Sequence, residues 1–211
     1  MERRIVLTGL TALAVSPVLA QSSPPPATDA PAAPTSSTKP ATPAPAPAMK
    51  LDTPVSMSNA AEKHVKTTMA VGSLSLAISR IALPKVKHAM LKQFAEFEIS
   101  EQETIADILK NMKMPGLLPS GTVKAPTDAE LTGNLGPKGK DMVEKMRAMK
   151  AGPDFDREYV KAQIDAHREL LAIQEAYLGT PDNLDETNIA KLARGMIKEH
   201  LTLLGNIEKM G

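Results

Sequence analysis

Apolar positions recur at helical spacing along four long stretches of the chain, and no alternating run rich in β-branched residues interrupts them. In the first, residues 58–83, Val65, Met69, Gly72 and Leu76 form one line, with Val71, Leu74, Ile78 and Ile81 beside it, and Pro84 closes the segment. The second, residues 85–113, places Met90, Phe94, Phe97, Ile105, Ile108 and Met112 on one stripe before the breaker sequence MPGLLPSG. The third, residues 154–178, begins at Asp154 as its expected N-cap. It carries Phe155, Tyr159, Val160 and Ile164 inward and stops at Gly179 and Pro181. The fourth, residues 186–210, repeats the pattern through Ile189, Leu192, Met196, Leu203 and Ile207. Between the second and third, Thr127 and Glu130 have capping-box spacing, and KGKDMVEKMRAMK reads as a short amphipathic helix. Four helices of this length bury a common seam most simply as an antiparallel all-α four-helix bundle, with one short extra helix across its end.

The pattern fails before residue 55, and composition explains why. MERRIVLTGLTALAVSPVLAQ has two arginines, a short apolar run and a small-residue ending at Ala20, the anatomy of a secretory signal peptide over residues 1–20. Arg3-Arg4 also fits the twin-arginine route, although the general export route is the commoner use of such a pair. Residues 21–54 are rich in proline and alanine and have few large apolar side chains, so they cannot offset the entropy of ordering and read as a disordered linker. Residues 55–211 form the one domain. An exported, periplasmic or envelope-associated protein is expected, with no transmembrane segment in the mature chain.

Charge and aromatic content narrow the partners. Lys and Arg total 25 against 24 Asp and Glu, and removing Glu2, Arg3 and Arg4 with the leader takes the net charge from +1 to zero. With two tyrosines, three phenylalanines and no tryptophan there are few platforms for stacking bases, so nucleic acid is excluded as a partner. The chain has no cysteine, which rules out disulfides, thiolate chemistry and a lipidated cysteine. The partner classes left are an envelope component, a second copy of the chain and an unidentified small ligand. No phosphate loop, nucleophile elbow or zinc-protease motif is present.

Candidate chemistry lies on the apolar stripes. His167 follows Ile164 by three residues and precedes Leu171 by four, and His200 follows Met196 by four and precedes Leu204 by four, so both face the seam. Glu98 and Glu101 follow Phe94 and Phe97 by four and point the same way, with Gln102 beside them. A buried carboxylate needs a partner, a proton or a cation. Glu101, His167 and His200 are therefore the candidate ligands of a divalent metal. The competing readings are a satisfied polar cluster that fixes helix register, or surface exposure through a different helix rotation. In either buried reading His167 lies within reach of Glu101 or His200. Ile164 and Ile197 occupy the positions three before the histidines, so the Glu-x-x-His pairs of a di-iron centre are missing. His64 and His88, near helix beginnings, are expected to be exposed. The 12 methionines suit core filling better than copper(I) binding.

FDREYVKAQIDAH, followed by LARGMIKEHL, resembles the DUF4142 family. The resemblance covers most of residues 58–210 and implies an exported bacterial protein of ferritin-like four-helix architecture without an established function. It also implies a reduced set of ligands. Family members tend to have an acidic residue followed by His in the second helix, where this chain has Glu101-Gln102, and a Glu in the first helix, where TTMAVGSL has none. The function implied is a non-catalytic binding or envelope-maintenance protein, with a metal-binding ferritin-like oxidase or metal-storage protein as the alternative.

Overall fold

A computed structural model describes residues 57–114 and 117–210; the expected leader, the whole expected linker, Val55, Ser56, Pro115, Gly116 and Gly211 lie outside the described residues. The described residues form an all-α helical bundle of six helices and contain no strand: α1 Asn59–Ala82, α2 Ala89–Asn111, α3 Asp128–Asn134, α4 Pro137–Ala148, α5 Pro153–Gly179 and α6 Leu184–Met210. None of these helices is long and apolar enough to cross a membrane.

Cross-helix pairings give the directions. Ser79 of α1 meets Tyr159 at the start of α5, while Thr68, earlier in α1, meets Gln174 near the end of α5, so the two helices run antiparallel. His64 at the start of α1 reaches Glu186 at the start of α6, which makes those two parallel and diagonal across the bundle. α1 packs on α2 and α5, α5 also packs on α6, and the α2/α6 side is the most sparsely packed of the four. The segment from α2 to α5 returns along α1, carrying α3 and α4 against it.

Each boundary has a local cause. α1 begins at Ser58, whose hydroxyl accepts the Ala61 amide. α2 starts at Ala89, not Lys85, because residues 83–87 serve other purposes: Val86 enters the core and Lys85 donates to the carbonyls of Met146, Arg147 and Met149 at the end of α4. The connection holds two short helices where the sequence pattern suggests one. Thr127 and Glu130 form the full capping box of α3, and Pro137, which has no amide to donate, opens α4 at its first turn. The N-cap of α5 is Gly152, not Asp154; its φ of 151° is open to glycine without strain, and Pro153 follows it.

Helix rotation is the main departure from the expected stripes. In α2 the buried line runs Leu91, Phe94, Ala95, Glu98, Gln102 and Leu109, and Phe97 is 49 % exposed. In α6 it runs Glu186, Ala190, Ala193, Ile197, His200, Leu204 and Ile207, leaving Leu192 69 % exposed. α5 presents the expected face, with Phe155, Tyr159, Val160, Ile164 and His167 all buried, and α1 largely does, with Val65, Gly72, Leu76 and Ile78 buried and Met69 half-buried. The main apolar core lies at the end of the bundle where α1 turns into α2, around Ile78, Phe94, Met146, Phe155 and Tyr159. Elsewhere the interior mixes buried polar side chains such as Ser75, Glu98, Gln163 and His167 with smaller apolar clusters around Leu170 and Tyr177.

Candidate metal centre

Three helices supply the central polar cluster. α2 brings Glu98, α5 brings His167 and α6 brings His200, all buried, and one ligand atom from each lies within 4.8 Å of the others. His167 Nε2 is 3.2 Å from Glu98 Oε2, His200 Nδ1 is 2.9 Å from the same oxygen, and the two nitrogens are 3.0 Å apart. Phe94 packs on both imidazoles.

The outer atoms of these groups are each oriented by a neighbour. His167 Nδ1 donates to the Gln163 carbonyl at 2.8 Å, which leaves the lone pair of Nε2 facing inward. His200 Nε2 is 3.0 Å from Glu101 Oε2, a close ion-pair contact without a well-directed hydrogen bond, and a proton on that outer nitrogen would leave the lone pair of Nδ1 facing inward. On Glu98, Oε1 meets the Ser75 hydroxyl, so Oε2 is the free oxygen. Ser75 also faces the side-chain carbonyl of Gln163 and has one proton for two acceptors. The Gln163 amide nitrogen donates to the Ser75 carbonyl and to Ser79 Oγ, which fixes its orientation.

With both imidazoles neutral and protonated on their outer nitrogens, three lone pairs would meet at one point, because the atoms that bear them lie within 4.8 Å of one another. Such a point demands a proton or a cation. Glu98 Oε2 has no well-directed hydrogen bond despite its two close nitrogens, as expected when all three atoms point at a common centre and not along donor–acceptor axes. Ligand atoms about 2.0–2.2 Å from a divalent ion and separated as these are would subtend roughly 90°. That is the facial arrangement of two imidazoles and one carboxylate.

Without a metal, protonation takes its place. Burial disfavours charge on His200, but the carboxylates of Glu101 and Glu98 outweigh it and raise the imidazole to about 9. Burial likewise opposes charge on Glu98, yet the close imidazoles of His167 and His200, with the Ser75 hydroxyl, outweigh it and hold its carboxyl far below the usual range. The metal-free centre is therefore a buried imidazolium–carboxylate pair.

Of the residues singled out in the sequence, His167 and His200 meet directly. Glu101 lies on the outer nitrogen of His200, 33 % exposed, and Glu98 one turn earlier takes the position between the imidazoles. The signal for Glu98 was the line from Leu91 through Phe94 to Glu98; taking Met90 and Phe97 as the seam rotated the helix towards Glu101.

His88 is exposed, as expected, but His64 is buried. Its Nδ1 contacts Glu186, its Nε2 lies 2.8 Å from the side-chain carbonyl of Gln174, and its ring stacks on Tyr177. Because Gln174 donates its amide to Thr68 Oγ1, its oxygen is the atom that faces His64. The line Ala61, His64, Val65, Thr68 carried that signal, half hidden by its polar members.

No curated protein matches the chain. Its fold is similar to the crystal structure of a DUF305 fragment from Deinococcus radiodurans, with a TM-score of 0.55 and 11 % sequence identity over 73 % of this chain and 98 % of that one. At that identity the likeness concerns the fold alone. The sequence model of the family described as Domain of unknown function (DUF4142) matches residues 45–207, and the chain belongs to that family.

Proposed function

We propose that this protein is an exported cell-envelope protein of ferritin-like, antiparallel four-helix architecture that binds one divalent transition-metal ion through Glu98, His167 and His200. The observation that carries the reading is the gathering of one ligand atom each from Glu98, His167 and His200 within 4.8 Å, with the Gln163 carbonyl on His167 Nδ1, the Ser75 hydroxyl on Glu98 and Glu101 3.0 Å from the outer nitrogen of His200. Imidazole with carboxylate suits ions such as Mn(II), Fe(II), Co(II) and Zn(II), and the set has no thiolate or thioether to favour copper(I). Ile164 and Ile197 stand where a di-iron centre needs glutamates, which favours a mononuclear binding protein over a ferritin-like oxidase or a metal store. The export leader read from residues 1–20 supports the compartment.

Metal-stripped protein titrated anaerobically with each of these ions is expected to take up one equivalent of at least one of them, and Glu98→Gln, His167→Ala and His200→Ala are each expected to lose it. Uptake of none of them, or uptake unchanged in all three variants, would overturn the proposal. The cluster would then stand as a polar pair that fixes helix register.

A further inference from the structure

Beside the two imidazoles the interior contains a void of about 10 Å³, bordered by His167, His200, Thr68, Glu101, Gln102 and Gln174. That volume is at the size needed for one water, and a water is stable only where several polar groups surround it, as they do here. The opposite wall is apolar, formed by Leu170, Ala193 and Ile197, and limits the space.

We infer that an ion held by Glu98, His167 and His200 keeps a coordination position open to this void, where it takes one water or an exogenous ligand of one or two heavy atoms. The inference rests on the metal reading and goes beyond it, from binding an ion to presenting that ion to a small molecule. Divalent ions of this class take four to six ligands, and a facial set of three occupies one hemisphere. Among the described residues no fourth His, Asp or Glu joins the cluster. Glu101 faces the outer nitrogen of His200, on the far side of the ring from Nδ1.

The space beside the imidazoles is kept by packing. Gln102 lies along α1 because Gly72 has no Cβ; one built there would stand 2.6 Å from Gln102 Oε1. Without that clearance the Gln102 side chain would be turned towards the void. Ala193, the smallest side chain of the apolar wall, leaves room that a larger residue would fill.

Two measurements on the full protein test this. The electron paramagnetic resonance lines of the Mn(II)-loaded protein should broaden in ¹⁷O-enriched water, because a water oxygen is bound. The Fe(II)-loaded protein exposed anaerobically to nitric oxide should give the half-integer-spin signal of an iron nitrosyl. Ala193→Leu should retain the ion and lose the nitrosyl signal. Protein that holds neither ion overturns this inference, and if it takes up no Co(II) or Zn(II) either, the metal reading falls with it. Protein that holds one yet shows neither broadening nor nitrosyl overturns this inference alone, as does an Ala193→Leu variant whose nitrosyl signal equals that of the wild type. If that variant does not fold, the wild-type measurements decide.

Discussion

The bundle buries two histidine–glutamate clusters, and they are built to opposite ends. At the base, His64 offers its two nitrogens to acceptors on opposite sides, Glu186 and Gln174, and Tyr177 covers its face. Every inward atom of that imidazole is spent on a protein partner. In the middle, His167 and His200 turn their inner nitrogens towards Glu98 and, 3.0 Å apart, towards each other, with Gln163 and Glu101 at the outer ones. Both places bury histidine with glutamate; the middle one has a second histidine, and there the ligand atoms gather where at the base the partners stand apart. Divergence gives a plug that ties the starts of α1 and α6 to the end of α5, and convergence gives a site.

The strongest way to break the comparison is to remove one carboxylate from each cluster. Glu98→Ala and Glu186→Ala both strand a buried imidazole and should each lower metal-free stability by about 3–5 kcal/mol, read by urea denaturation. Their metal behaviour should then part. With free metal at about 1,000 times its dissociation constant, binding should add roughly 4 kcal/mol to Glu186→Ala and to the wild type, and nothing to Glu98→Ala. Equal metal stabilisation of the two variants would erase the distinction between site and plug.

How far sequence reasoning reached follows the same division. The buried face of α5 was legible, though not its N-cap, because its stripe is bulky and unbroken from Phe155 to His167. α2 and α6 were legible as helices but not in rotation, since the Leu, Phe and Ile of the faces they bury are diluted by Ala, Gln, Glu and His, while Phe97 and Leu192 remain outside. A seam made of small and polar residues has a weak hydrophobic period, so the large exposed residues dominate the pattern. The histidines survived that error because His167 is fixed by α5 and His200 lies on both candidate lines of α6. Glu98 and Glu101, three residues apart, exchanged roles. His64 escaped because its partner, Glu186, comes from the far end of the sequence, and no local spacing announces such a pair.

Acidity sharpens the comparison on a smaller scale. His200 is raised from its ordinary 6.5 to about 9, so its protonation contributes stability that is fully present below about pH 6.5 and is lost as pH rises through about 9. Glu98 is lowered, so its contribution is present above its ordinary 4.5 and is lost only under strongly acid conditions. Metal-free protein should therefore be most stable between these limits. On the alkaline side it should lose at most about 1.4 kcal/mol per pH unit, less whatever solvent screens at the partly exposed Glu101. A bound ion replaces that proton, so the metal-loaded protein should lack the alkaline decline. Glu186→Ala should keep the decline in its metal-free form and His200→Ala should not. Denaturant midpoints measured from pH 6 to pH 10 would show an identical decline in all forms if this assignment of the proton is mistaken.

Gly72→Ala should have the smallest effect on stability while still separating the two clusters. Removing a glycine from the interior of α1 should favour the helix by about 0.8–1.0 kcal/mol. Against that, the new Cβ would lie 2.6 Å from Gln102 Oε1, too close for both to stay. The atom in conflict is the end of a flexible side chain and not backbone, so Gln102 can turn away by changing rotamer, at a cost of roughly 0.5–1.5 kcal/mol if it settles off a staggered well. The two effects oppose and are of equal size, and the net change in unfolding free energy should fall within about 1 kcal/mol of zero. The space into which Gln102 must turn includes the void beside His167 and His200. The variant should therefore keep its metal equivalent and the His64 cluster while its nitrosyl signal weakens. A loss of several kcal/mol would mean that α1 and α2 cannot adjust at Gly72, and an undiminished nitrosyl signal would mean that Gln102 does not border the ligand position.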